Sequence, residues 1–176
     1  MGKVHVLHIA EIVHKDKDGN VLWREENLKN VLHDEGEMYL LARAFATGMA
    51  TYGAGFATLY MGLDNRSTPL ESDTLGNTNG EPFSGNGYSR QPLSTTGTGL
   101  SGQDFYINQP AGFYRADTKV VTFTCTSTWN AVKQMFLCSA ASGSSGIMIC
   151  SVALSQERTL NTGDSLQASI YIGLSE

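Results

Sequence analysis

The residues that could do chemistry are few, and their spacing does not suit it. All four histidines, His5, His8, His14 and His33, lie in the first third of the chain. No Gly-x-Ser-x-Gly run places a serine on a sharp strand-to-helix turn, so a serine–histidine–carboxylate relay has no obvious nucleophile. GNGYSR lacks the glycine order of a phosphate cradle, and SSGIMIC follows a turn where a phosphate loop would open a helix. Glu71, Asp73 and Asp164 fall in turn sequence, where short carboxylates satisfy nearby backbone N–H groups. Asp16, Asp18 and Asn20 begin like a calcium loop, but Val21 stands where that loop needs Gly and Asn27 where it needs Glu. On a strand His5 and His8 face opposite sides and cannot grip one ion. The expectation is a chain with no catalytic, cofactor-binding or metal-ligating residues, and no enzyme.

Composition narrows the classes further. The chain has 176 residues, 41% of them hydrophobic, and a formal charge of −5. That is enough apolar material for a core, and the length suits one domain. No cluster of Lys and Arg is present to displace counterions, so nucleic acid is not an expected partner. His5, His8 and Glu11 interrupt the apolar start before it could act as a signal-peptide core, and Val6 stands where a myristoylation signal needs Ser or Thr. No later run is long enough to span a bilayer, so no membrane contact and synthesis in the cytoplasm are expected. Cys125, Cys138 and Cys150 sit within apolar strand sequence. Buried reduced thiols are the favoured reading, with a disulfide between strands or subunits as the alternative.

The elements that must position any functional surface are mostly strands. In VVTFTCTSTW, Val121, Phe123, Cys125 and Trp129 share one face and threonines the other, the period of a half-buried strand. AVKQMFLCSA, IMICSVALS and SLQASIYIGL follow, separated by Gly/Ser/Asn/Asp turns, so 118–175 reads as four antiparallel strands in a meander or Greek key. One sheet cannot hide its apolar side alone, which calls for a second layer. Residues 1–26 read as an N-terminal hairpin with its turn at Asp18-Gly19. A helix is expected over 34–47, capped by Asp34 with Glu37 and burying Met38, Leu41, Ala42 and Phe45. Phe56, Leu59, Met61 and Leu63 mark a further strand. Residues 64–109 form a long Gly/Ser/Thr/Asn/Pro-rich loop region with one strand-like run, GYSRQPLST, and a connection of that length is expected to be ordered or functional. The fold class is therefore mainly β: an antiparallel β-sandwich, jelly-roll-like, with one amphipathic helix and a long ordered loop.

Taken in order, NLKNVLHDEGEMYLLARAF, LYMGL, TPLESDTL, EPFSGNGYSRQ, WNAVKQMFL, SSGIMICSVALS and NTGDSLQASIYIGLS resemble a group of small tailed-bacteriophage virion proteins. The resemblance runs from Asn27 onward, less firmly across Phe83 to Tyr88. It implies a β-sandwich or jelly roll and a structural part in the particle, and it carries no catalytic residues. With the small size and the long loop, it points first to a capsid decoration or cement protein on the capsid surface of the virion. Its partners would be the major capsid protein and further copies of itself, as a trimer or dimer, stabilising the shell through many repeated contacts. Trp23 on the hairpin, and Phe83, Asn86, Tyr88 and Arg90 in the loop, are the candidate contact residues. The alternative is a tail-fibre or tail-tip module binding a host surface glycan through the same loop, with Tyr52, Tyr60, Tyr88 or Trp129 as a stacking platform. The chain shows no internal repeat of the kind a fibre shaft would carry.

Overall fold

The computed structural model describes residues 5–175 apart from 30, 54, 79 and 110–113, with side chains described between 11 and 173. The side chains of His5 and His8, expected on opposite sides of the first strand, lie outside the described residues. Strands β1 (His5–Lys15) and β2 (Val21–Lys29) pair antiparallel as a hairpin. Its turn is set by Asp16, whose carboxylate accepts the Asp18 N–H at 2.9 Å, the Asn20 N–H at 2.8 Å and the Asn20 side-chain amide at 2.8 Å. Gly19 takes the positive φ of 87° that this geometry requires.

Two antiparallel sheets form the body. The first runs β2–β1–β11 (Ser165–Ser175)–β7 (Arg115–Thr118)–β6 (Phe105–Asn108), with β8 (Val121–Thr124) also paired to β11. The second runs β3 (Val31–Leu32)–β10 (Met148–Leu160)–β9 (Trp129–Cys138)–β4 (Thr58–Asp64)–β5 (Gln91–Ser94). Ile12, Phe123, Leu166, Ala168 and Ile170 from the first sheet join Leu59, Met61, Leu63, Val132 and Leu137 from the second in one core. The four C-terminal strands do not form one meander. β8 and β11 belong to the first sheet and β9 and β10 to the second, so the chain crosses between layers after β8 and again after β10. The alternation is correct, and Val121, Phe123, Cys125 and Trp129 are all buried, but period two does not say which sheet a strand joins.

The helix, α1 (Asp34–Phe45), departs from expectation in its cap and in its buried face. His33, not Asp34, is the N-cap residue, and no side chain caps the helix. The Asp34 N–H instead donates to the Glu71 carbonyl at 3.0 Å, and Glu35 accepts the Met148 N–H at 3.0 Å. The buried row is Gly36, Tyr39 and Ala42. Met38, Leu41 and Phe45 point outward, Phe45 with 85% of its surface exposed. The cause is Gly36: a Cβ there would lie 2.1 Å from the Ile149 carbonyl oxygen, so the helix backbone rests directly on β10 along its glycine face. The bulkier row must then turn away.

The 64–109 region is not one loop. It contains β5 and β6, and two 3-10 turns at Leu75–Asn77 and Ser84–Asn86. Its first part covers the outer face of the second sheet, where Leu75, Phe136, Cys138 and Met148 form a second apolar cluster with Tyr60 and Ala140 against it. The Phe136 ring occupies the space a side chain at Gly62 would need, within 2.3 Å of a would-be Cβ. The middle of the second sheet is therefore sheathed on both faces.

All three cysteines are buried and free. Burial pushes the Cys150 thiol up to about 12, and reactivity follows the thiolate. Native protein is expected to label slowly with a thiol reagent at pH 8, and denatured protein at all three cysteines at once. Fast labelling of Cys150 in the native state would contradict the packing described.

Among the described residues no helix is long and apolar enough to cross a membrane.

Candidate attachment surface

The stretch between β4 and β5 is pinned to the sheet beneath it. Asp64, at the end of β4, accepts the Gly80 N–H at 2.8 Å, and burial raises its carboxyl above the ordinary value. Arg66 pairs with Asp73 at 2.6 Å, and Asp73 also accepts the Leu70 N–H at 2.7 Å. Burial alone would raise the Asp73 carboxyl, but the Leu70 N–H and the Arg66 guanidinium outweigh it and hold it low.

The tightest clamp is built on Arg90, whose side chain is 1% exposed. Its guanidinium meets both oxygens of Glu81, at 2.5 and 3.0 Å. It also donates to the Ala140 carbonyl at 2.9 Å and the Gly143 carbonyl at 2.8 Å, and lies 5.2 Å from the centre of the Phe136 ring. One side chain thereby ties the loop to the β9–β10 turn. Tyr88 extends the network: its hydroxyl donates to Glu81 at 2.6 Å and accepts the Leu63 N–H at 2.9 Å. Burial and the Glu81 carboxylate both push that hydroxyl up, so it stays a donor.

These positions correct two of the expected contact residues. Tyr88 and Arg90 are 7% and 5% exposed and face inward; they brace the loop and present nothing to a partner. The reason is chemical: a fork-shaped cation and a phenol can satisfy buried carbonyls and a carboxylate together. Phe83 is 71% exposed at the outer rim of the same loop. Asn86 is half-buried, its carbonyl accepting the Trp129 indole N–H at 2.8 Å. Trp23 is half-buried on β2 and packs against the main core, with the Arg158 guanidinium 3.9 Å over its ring. The alternative stacking platform does not assemble. Trp129 is buried edge-to-face against Tyr88 at 5.8 Å, while Tyr52 and Tyr60 pack against different apolar clusters.

Two polar pairs were not legible in the sequence. His14 Nε2 lies 3.2 Å from Asp164 Oδ2, both buried, and Asp164 also accepts the Asn161 N–H at 2.8 Å. The pair braces the β10–β11 turn against β1. His33 is fully buried, its ring 2.8 Å from the Ser151 hydroxyl and 3.3 Å from the Glu71 carbonyl. Neither pair had a sequence signal, because the partners are far apart along the chain. Among the described residues no group of His, Cys, Asp and Glu is placed to hold a metal ion.

Burial lowers the pKa of His33. The folded state therefore resists a proton that the unfolded chain accepts near pH 6.5. The stability this neutral histidine gives is complete above that pH and is lost as pH falls below it. The urea midpoint is expected to fall between pH 7.5 and about 5.5, less so in His33→Gln; an equal fall in both proteins would contradict the assignment.

Among the described residues, two packed antiparallel sheets, one α-helix and a covered outer face define an antiparallel β-sandwich. Comparison with family models then gives the family: the model described as podophage GP4 fiber I protein gp80 matches residues 43–173, and the chain belongs to that family. It is a small tailed-phage virion protein. The match takes in Phe83 to Tyr88, and it begins at Arg43, so the hairpin and most of α1 lie outside it. No curated protein and no solved structure matches the chain.

Proposed function

We propose that the chain is a fibre component of a podophage attachment apparatus, working without catalysis and in association with copies of itself. The observation that carries this reading is the match of residues 43–173 to a family named for a fibre protein. The clamped loop is compatible with it, since Arg90 and Glu81 hold the 64–90 stretch to the β9–β10 turn. The outward helix row supports self-association: Met38, Leu41, Phe45 and Met49 are each more than two-fifths exposed, and a run of exposed apolar residues marks an interaction surface.

Protein quantitation of purified virions tests the fibre reading. A fibre component is expected at a small fraction of the major capsid protein, with antibody label at the tail. A copy number matching the major capsid protein, with label over the head, would restore the cement reading and overturn this one. For the helix row, Phe45→Glu is expected to move the protein to monomer in light scattering with its melting temperature unchanged. A wild-type chain already monomeric at micromolar concentration would overturn the self-association.

A further inference from the structure

A cleft of about 660 Å³ opens between α1 and the segments that lead into β4, at Gly55 to Ala57, and out of β5, at Thr95 and Thr96. Tyr39, Arg43, Phe56, Thr95 and Thr96 line it. Leu40 forms part of its wall and also of a neighbouring apolar lobe of about 310 Å³, where Ile107 and Ile172 lie. We propose that this cleft binds a saccharide carrying a carboxylate or phosphate group.

The chemistry of the wall carries the proposal. Phe56 is half-buried and gives the ring edge on which the C–H face of a pyranose can rest, while the buried Tyr39 ring, 5.4 Å away and tilted by 31°, backs it from the core. Thr96 is exposed, and Thr95 donates its hydroxyl proton to the Phe56 carbonyl, which leaves its oxygen lone pairs for a sugar hydroxyl. Arg43 supplies the charge. One of its N–H groups donates to the Gly53 carbonyl at 2.6 Å, and it forms no ion pair among the described residues. A guanidinium has five N–H donors in a fork that fits a carboxylate or phosphate, so most remain for a ligand. In a chain of net charge −5, one unmatched cation at the mouth of an aromatic cleft selects an anionic sugar. It is too little charge to track a nucleic-acid backbone. The apolar lobe beyond Leu40 suits an acyl or methyl substituent. The volume is within the range usual for small-ligand sites.

The assignment deepens the fibre reading and rests on it for its biological meaning. The test is a chemical-shift titration of the full chain with glucuronic acid, glucose 6-phosphate and glucose, followed by anionic envelope polysaccharide from the host. Shifts at Arg43, Phe56 and Thr96 are expected with the anionic probes and not with glucose. Arg43→Gln, at an exposed position, is expected to weaken binding by about tenfold or more with an unchanged melting temperature, and Phe83→Ala to bind like wild type. Equal response to glucose, an unaffected Arg43→Gln variant, or no response to any anionic probe overturns the site. Sugar binding in a protein located on the head would leave the site standing and sink the fibre reading; silence in a protein located on the tail does the reverse.

Discussion

Arg90→Ala is expected to lower the free energy of unfolding by about 3–5 kcal/mol, the usual cost of removing one partner from a buried ion pair. The size follows from what is left behind. Arg90 is 1% and Glu81 20% exposed at the side chain, so the carboxylate would stay desolvated beside the Tyr88 hydroxyl. The Ala140 and Gly143 carbonyls would lose their donors, and an unmet buried acceptor is costly. The guanidinium also fills space over Phe136. The pair is not itself a large source of stability, because two charges were desolvated to make it. Arg90→Met with Glu81→Leu is therefore expected to recover most of the loss. Urea denaturation at constant m-value decides it, and a loss below about 1 kcal/mol in Arg90→Ala would mean the clamp is solvent-filled and weak.

Gly36→Ala is the second large effect, and two terms of opposite sign meet in it. Within a helix, alanine is favoured over glycine by about 1 kcal/mol. Against that, the new methyl would sit 2.1 Å from the Ile149 carbonyl oxygen, and the atoms it meets are backbone. Overpacking of a fixed contact costs roughly 1–3 kcal/mol and sometimes more. The His33 N–H to Ile149 carbonyl bond at 3.1 Å would be pulled apart as the helix lifts. The contact wins, and a net loss of about 2 kcal/mol is expected. A stabilised Gly36→Ala variant would show that α1 sits further from β10 than described.

The same glycine explains what a sequence reader could and could not see. Strands were legible because alternation alone fixes which residues go inward, as at Leu59, Met61 and Leu63 in β4. The first hairpin was legible because Asp18-Gly19 is a turn pair between two strand-like runs, although the part Asp16 plays in that turn was not. The helix was legible as a helix, but its inward face was not. Hydrophobic periodicity weights Met38, Leu41 and Phe45 and gives nothing to Gly36, whose value is the closeness it allows. The loop illustrates a second limit. Composition marked it as unusual, yet Tyr88 and Arg90 look like exposed binding residues until their partners are known, seven and 25 positions away for Tyr88 and nine and 50 for Arg90. Sheet membership of β8 to β11 was hidden for a related reason: a turn sequence records that the chain reverses and not which layer it enters.

The double covering of the second sheet bears on how the molecule opens. β9 lies between β10 and β4, with the main core on one side and the Leu75 cluster on the other. Its backbone amides at Met135, Phe136 and Leu137 should trade hydrogen for deuterium only when the whole structure comes apart, while those of the short border strand β5 trade through local fraying. An isotope-exchange map thus supplies an internal gauge: a partner that pries up only the lid would quicken Leu75 and leave the middle of β9 silent.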